Sequence, residues 1–408
     1  MALFDGAEKL AKLDLPPGFS ATDLDHVLQR AHAMGISDLT FQSRDYVFGH
    51  DQGTWVRLND RRLEHRELEQ ALAQLYGSAT GSARLLDRDA LDFAAVLQES
   101  PGSESWIRYR TNATLGYING QTKGFSITMR RIPGVPPKFE DLPLPAELRE
   151  NFLIAEGLAA VIGTTGSGKT TLLAAANRAR LEGDKPVRIL IYEDTQEYIY
   201  DGLAAGRMPE PVQVIIGDHL KSYEQAGPNA MRRKGDVIIV GETRDRPSMT
   251  ACFEMAATGH ATYHTSHTKT PDTYFTRTVN MFPEDVQPDR ASQLIEVCRL
   301  IVGQKLYRGT DGRKHALQSW VVLDRECVEK LESVEFKDRA RLIRGVVEAR
   351  EASFRLQALP EVREGLITFR TFRDLTGMTA PEGIEFLRHH GIDAQKLPAN
   401  EFAIKAAA

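Results

Sequence analysis

The chain has 408 residues, 42% of them hydrophobic and 26% charged, with a formal net charge of −5. That length accommodates two or three compact domains, and the mild acidity provides no global attraction to nucleic acid or anionic lipid. Its cysteines, Cys252, Cys298 and Cys327, are far apart and form no CxxC pair. This argues against a zinc knuckle or a disulfide framework and fits a reducing cytosol.

The stretch Met1 to Leu15 is too polar and too acidic for a signal peptide. No uncharged apolar run approaches the roughly 20 residues of a membrane span. The expected location is therefore cytoplasmic, with any membrane work done from the surface through partners.

From about Ala21 to Pro133 the pattern is mixed α/β. Leu24 to Met34 has the spacing of a short amphipathic helix, and Leu63 to Tyr76 returns to it. Asp38 to Gln42, Gly53 to Leu58, Ser105 to Asn112 and Gly124 to Arg131 alternate as strands, with Gly116 to Gly124 a turn-rich link. Five prolines between Pro133 and Pro145 resist helix and central strand alike, which predicts a domain boundary. From Leu153 the texture changes to buried apolar runs separated by helical patterns: Leu158 to Ile162, Val187 to Tyr192, Val212 to Ile216, Val237 to Val240 and His260 to Thr265. Such alternation predicts a parallel sheet covered by helices. Beyond about Pro283 the chain reads as mainly helical, with a long solvated helix or helix pair over Lys330 to Leu359, and fraying is expected over Ile404 to Ala408. The expected divisions are an N-terminal α/β domain (1–135), a linker (136–150), a P-loop domain (151–325) and a helical C-terminal extension (326–408).

The strongest motif is GxxxxGK[ST], here Gly163, Thr164, Thr165, Gly166, Ser167, Gly168, Lys169 and Thr170, followed by Thr171. Glycines let backbone N–H groups converge on the phosphates of a nucleotide, where a side chain would block approach. Lys169 can then reach the β- and γ-phosphates, and the Thr170 hydroxyl can ligate Mg²⁺. A buried strand enters this loop and a good helix former, Thr170 to Leu181, leaves it, so the helix N-terminus faces the phosphates. ATP and Mg²⁺ are the expected ligands.

Hydrolysis further needs a group that orients the attacking water. Two acidic clusters follow buried strands: Glu193-Asp194-Thr195-Gln196-Glu197, and Gly241-Glu242 after Asp236 to Val240. Singly, each reads as a solvated turn or helix cap; recurring at successive strand ends after a phosphate loop, they read as chemistry, Glu242 most sharply. A carboxylate in such a pocket is expected to have raised proton affinity. Thr258 to Thr268 carries His260, His264 and His267. Helical spacing would align them for a metal, but Thr262, Tyr263 and Thr265 favour a strand that disperses them, and no cysteine completes a zinc set. A γ-phosphate sensor or polar link in the nucleotide pocket is the expectation.

Phosphate loop, EDTQE, GETRD and the histidine-rich run stand in one order that resembles the secretion-superfamily ATPases, which include pilus-retraction motors and the traffic ATPases of secretion and conjugation. Met231 to Asp245 and Gln304-Lys305-Leu306 are its most specific parts, and the resemblance extends over about Ile36 to Asp324. Ile36 to Gln42, Arg108 to Asn112 and Arg130 to Pro133 look most like the Dot-type (type IVB) secretion ATPase and the related transfer protein of IncI-like conjugative plasmids.

That resemblance implies a PAS-like N-terminal α/β domain, a RecA-like P-loop domain and a helical C-terminal extension. It implies a homohexameric ring, peripheral to the inner membrane and recruited by secretion or conjugation apparatus proteins, with ATP between domains and at subunit boundaries. Lys169 and Thr170 would be the Walker A pair, with Thr170 and Glu242 at the metal. Glu242 would be the Walker B glutamate, Glu197 the acidic-box residue that helps activate water, and Glu193, Asp194 and His267 nucleotide-site contacts. Arg108, Arg110 and Arg130 would include the arginine fingers; spacing alone does not choose among them, and R-x-R on a strand also fits an exposed face.

Departures are visible too. Thr195-Gln196 replaces the Pro and aliphatic residue of many relatives, the Walker B strand ends Val-Gly-Glu without an Asp-Glu pair, and there is no four-cysteine zinc module. A DNA translocase is the contrasting reading, but no basic stripe with interleaved aromatics supports direct nucleic-acid binding; an ATP-binding regulatory module is disfavoured by the presence of both Glu197 and Glu242. For Leu342, Ile343, Val346, Val347 and Phe354, packing within the protomer and docking of a membrane-bound partner are both open.

Overall fold

The computed structural model describes residues 20–398 together with Leu13 and Leu15, apart from 52–53, 79, 88–89, 101, 104–105 and 133. The expectations for the signal-free N-terminus, for Pro133 and for Ile404 to Ala408 lie outside the described residues. Two compact units form, residues 1–135 with 195–199, and residues 136–194 with 200–408.

In the first unit, Ser20 starts helix α1 (Ala21–Ala33) with a reciprocal cap: its hydroxyl accepts from the Asp23 N–H, and the Asp23 carboxylate accepts from the Ser20 N–H. There follow β1 (Asp38–Gln42), β2 (Phe48–Asp51), β3 (Thr54–Arg57), α2 (His65–Leu75), α3 (Thr80–Leu86), β4 (Leu91–Gln98), β5 (Trp106–Ile118) and β6 (Gln121–Arg131). The strands form an antiparallel sheet in the order β3-β2-β1-β6-β5-β4. Alternation sets its two faces. Ile107, Tyr109, Ala113, Phe125, Ile127 and Met129 share a core with Leu24 and Leu28 of α1 and Leu68 and Leu72 of α2, while Arg108, Arg110 and Arg130 stand on the other face.

The turn-rich link expected over Gly116 to Gly124 is shorter in the structure. Strands β5 and β6 continue to Ile118 and from Gln121, and Asn119-Gly120 make the turn with φ of 46° and 80°. Two left-handed residues match the twist of a tight hairpin, and Asn and Gly adopt that conformation at least cost.

The second unit contains α4 (Ala146–Phe152), β7 (Gly157–Ile162), α5 (Lys169–Glu182), β8 (Ile189–Glu193), β9 (Val212–Ile215), α6 (Tyr223–Met231), β10 (Val237–Val240), α7 (Arg246–Ala257), β11 (Ala261–Ser266), α8 (Pro271–Asn280) and α9 (Gln287–Val297). Next come β12 (Cys298–Arg308), β13 (Lys314–Val322), α10 (Arg325–Glu332), α11 (Phe336–Ala349), α12 (Phe354–Gln357), α13 (Leu359–Arg363), α14 (Phe369–Thr376) and α15 (Ala380–His389). The sheet order is β13-β12-β7-β11-β10-β8-β9, parallel except for the antiparallel β12–β13 pair. Every residue of β7, β10 and β11 is buried, as strands covered on both faces require.

The hairpin β12–β13 corrects the mainly helical expectation beyond Pro283. Leu300-Ile301-Val302 is a buried aliphatic run beside β7, and a turn closing on Gly312 (φ 77°) returns the chain through Trp320-Val321-Val322. Apolar burial and β-branched packing outweigh the weak helical spacing.

After it, α10 and α11 are the expected helix pair. Ile343 and Val347 are buried, and Arg344 pairs with Asp272 of α8 at 2.6 Å, so this tail packs within its own chain. A separate apolar cluster gathers Tyr307 and Leu317 with Phe354, Leu359, Phe372 and Leu387 of the last helices. At the centre, the buried Tyr263 hydroxyl donates to Phe152 O at 2.6 Å and accepts from Ile154 N–H (2.9 Å) and the Arg180 guanidinium (2.6 Å). Among the described residues no helix is long and apolar enough to cross a membrane.

Candidate active site

Strand β7 delivers the chain at Gly163, whose N–H donates to Ser266 O on β11 at 3.1 Å. The loop turns back through Gly166 and Gly168, with φ of 77° and 83°, and α5 begins at Lys169. A Cβ at Gly163 would lie 2.4 Å from Ser167 Oγ and 2.5 Å from Gln304 O, so only glycine closes this loop. Lys169 Nζ bridges its mouth, donating to the carbonyls of Gly163 (2.9 Å) and Thr164 (3.0 Å). Ser167 Oγ is buried with no hydrogen-bond partner among the described residues. Thr170 and Thr171 occupy the first turn of α5, half-buried. A backbone cradle at a helix N-terminus, an ammonium that can move off two carbonyls and a threonine hydroxyl fit a nucleotide phosphate tail and its magnesium ion.

Across from the loop, β8 and β10 end side by side. A Cβ at Gly241 would meet Glu193 Cα at 2.9 Å, so glycine lets the two acidic strand ends approach. Glu242 has one carboxylate oxygen 2.9 Å from His267 Nε2 and the other 2.6 Å from Arg244 Nη2. The raised proton affinity expected of Glu242 is not found. Burial pushes its carboxyl up, but the hydrogen bond from Arg244 and the electrostatic pull of His267, Arg244 and Lys169 outweigh burial and hold it below the ordinary glutamate value. Arg244 was not among the sequence candidates, although the Glu-Thr-Arg spacing carries it. The hydrogen bond to Glu242 strengthens its hold on its own proton, and the same guanidinium lies 3.7 Å from Asp194.

Glu193 accepts from Gln213 Nε2 at 3.1 Å. Glu197 is exposed and belongs to the 195–199 segment of the first unit. Strand β11 disperses the histidines, as their neighbours predict. His264 is buried, its Nδ1 2.7 Å from Thr243 Oγ1 and its Nε2 2.7 Å from Tyr274 OH, and burial pushes it down to about 4. His260 turns instead to Thr258 Oγ1 at 3.0 Å, leaving His267 alone on Glu242. Among the described residues no group of three or more His, Cys, Asp or Glu side chains is placed to hold a metal by itself.

On the first unit's open face, Arg110 and Arg130 are directly opposed across β5 and β6. Arg130 is engaged by Asp38 at 2.6 Å; Arg110 is exposed, and Arg108 is half-buried.

The sequence profile of the family described as Type II/IV secretion system protein matches residues 140–358. The X-ray structure of the Legionella pneumophila ATPase DotB is similar over 90% of this chain and 99% of its own, with 30% identity and a TM-score of 0.81. The type IV pilus retraction ATPase PilT of Pseudomonas aeruginosa is 27% identical over 72% of this chain and 80% of its own length. Uncharacterized protein YggR of Escherichia coli K12 is 34% identical over 55% of this chain and 64% of its length. With the phosphate loop and the strand-end carboxylates inside the matched span, the chain belongs to the type II/IV secretion system family and is one of its ATPases.

Proposed function

We propose that this chain works as a homohexameric ring at the inner-membrane face of a type IVB-like secretion or conjugation apparatus, hydrolysing ATP to drive macromolecular export. The observation that carries this reading is Glu242, ionised and gripped on both oxygens at the end of β10, within electrostatic reach of Lys169. An ionised carboxylate can orient an attacking water and accept its proton. One of its two partners must let go for that to happen, and Arg244 has Asp194 within 3.7 Å to move to.

On phosphate binding, Lys169 exchanges the Gly163 and Thr164 carbonyls for phosphate oxygens, and the loop amides complete the cradle. Thr170 would hold Mg²⁺ together with waters, near Glu242, and the ion would neutralise developing phosphoryl charge. Arg110 is the assigned arginine finger of the assembled ring, because Asp38 already holds Arg130 and Arg108 is half-buried. Glu197 is assigned a role in activating water. Likeness to DotB over nearly all of that chain supports the secretion assignment. Likeness to PilT favours pilus retraction as a second reading; restored twitching in a strain lacking its retraction motor would select it.

The test is Mg-ATP turnover against protein concentration, with oligomer size read on the same samples, for wild type and Glu242→Gln. Turnover that rises with assembly, and vanishes in an assembled mutant, is expected. Turnover independent of assembly would remove the ring.

A further inference from the structure

We propose that Gln304 is a positioning residue for the phosphate loop and that, with its neighbour Lys305, it couples the C-terminal helices to nucleotide binding. Successive residues of a strand point to opposite faces, and β12 uses both. Gln304 is buried and donates through Nε2 to Ser167 O at 2.8 Å. Gln318, its partner in register on β13, donates to Gln304 Oε1 at 3.2 Å and so orients the amide with its NH₂ toward the loop.

The loop rests on this one residue through both its backbone and its side chain. Added Cβ atoms would lie 2.5 Å from Gln304 O at Gly163 and 2.8 Å from Gln304 Nε2 at Gly168. In a trans peptide the carbonyl and the following N–H point in opposite directions. Fastening Ser167 O to Gln304 therefore aims the Gly168 N–H away from β12, toward the interior of the loop where phosphate oxygens sit.

Lys305 faces the other way. Its Nζ donates to Leu375 O in the last turn of α14, where helix carbonyls lack a partner within the helix, and lies 4.4 Å from the centroid of the Phe354 ring. Helix α14 then supplies Thr371, Asp374 and Leu375 to one wall of a cavity of about 490 Å³ whose facing wall is the phosphate loop. Two adjacent residues thus fasten the phosphate loop and the C-terminal helices to the same stretch of strand. Ordering of the loop is thereby passed to α14, and whatever coupling results acts equally in reverse, because coupling between sites is reciprocal.

This inference rests on the nucleotide reading above, and the wild-type titration tests that reading separately. ADP binding to the full chain is measured by calorimetry for wild type, Gln304→Met and Lys305→Met, alongside apo melting temperature and steady-state turnover. Gln304→Met should weaken ADP about tenfold and raise the KM for ATP by a similar factor, leaving kcat within about twofold. Its apo melting temperature should stay within a few degrees. Hydrogen exchange supplies a further readout: ADP should slow exchange of the α14 amides in wild type, and Lys305→Met should abolish that slowing. Wild-type ADP affinity in Gln304→Met, or α14 exchange indifferent to ADP in wild type, overturns the proposal while leaving the ATPase reading intact. A wild type that takes up no ADP overturns both.

Discussion

The two sheets of this chain place their charged residues in different ways. In the antiparallel sheet of the first unit one face is packed and the other carries polar side chains, so Arg110 and Arg130 stand exposed along its strands and Arg108 half-buried beside them. In the parallel sheet of the second unit β7 and β10 are buried throughout, and ionisable groups gather where the strands end, at Lys169, Glu193 and Glu242. A covered sheet has to do its chemistry at its carboxyl ends, where backbone and side chains reach solvent and ligand together. An open face can offer charge anywhere along a strand, but that charge stays hydrated and neighbouring carboxylates can claim it, as Asp38 claims Arg130.

The comparison is broken most directly by removing one group from each sheet. Glu242→Gln should lower kcat by about 10³-fold while leaving ADP binding within about twofold, since a general base contributes on this scale; equal loss of binding would make Glu242 a ligand-site residue only. Arg110→Ala should cost turnover in the assembled protein and Arg130→Ala much less. Equal losses would show that the Asp38 pair does not separate the two.

Gly163→Ala should cost about 3 kcal/mol in denaturant unfolding and abolish ADP uptake, because the new Cβ meets backbone as well as Ser167 at a positive φ. The buried His264 gives a pH signature. Its folded value, about 4, lies below the ordinary 6.5, so below 6.5 the unfolded chain takes up the proton first. Stability is complete above pH 6.5 and falls toward pH 4, by on the order of 2 kcal/mol at pH 5. Denaturant midpoints at pH 7 and pH 5 should show a shallower dependence in His264→Gln. The smallest effect belongs to the open face: Arg130→Ala should change stability by less than about 1 kcal/mol, because its side chain is 72% exposed.

Much of this architecture could be read directly from the chain. Buried runs forecast β7, β10 and β11, and the phosphate loop announced itself because glycine spacing, entering strand and leaving helix all lie within a short span. What escaped depended on contacts remote in sequence. The strands β12 and β13 look helical in isolation and become strands by pairing with each other and with β7. Gln304 meets Ser167 across 137 positions, and no local pattern announces that bond. The charge state of Glu242 escaped for a related reason, since desolvation was foreseeable but the Arg244 and His267 contacts that overcome it are geometric.

The triple contact of the Tyr263 hydroxyl bears on how force could leave the nucleotide site. Its phenol ties the far end of α5, through Arg180, to the central strand β11 and to the backbone at Phe152 and Ile154. The near end of the same helix is tethered by the phosphate loop. A rod pinned at both ends does not swing as a lever, and its fourteen residues behave as a fixed strut. Displacement set off at the phosphates would then have to leave sideways, through the short segments that follow β10 and β11, and α5 would serve as the bearing against which they move.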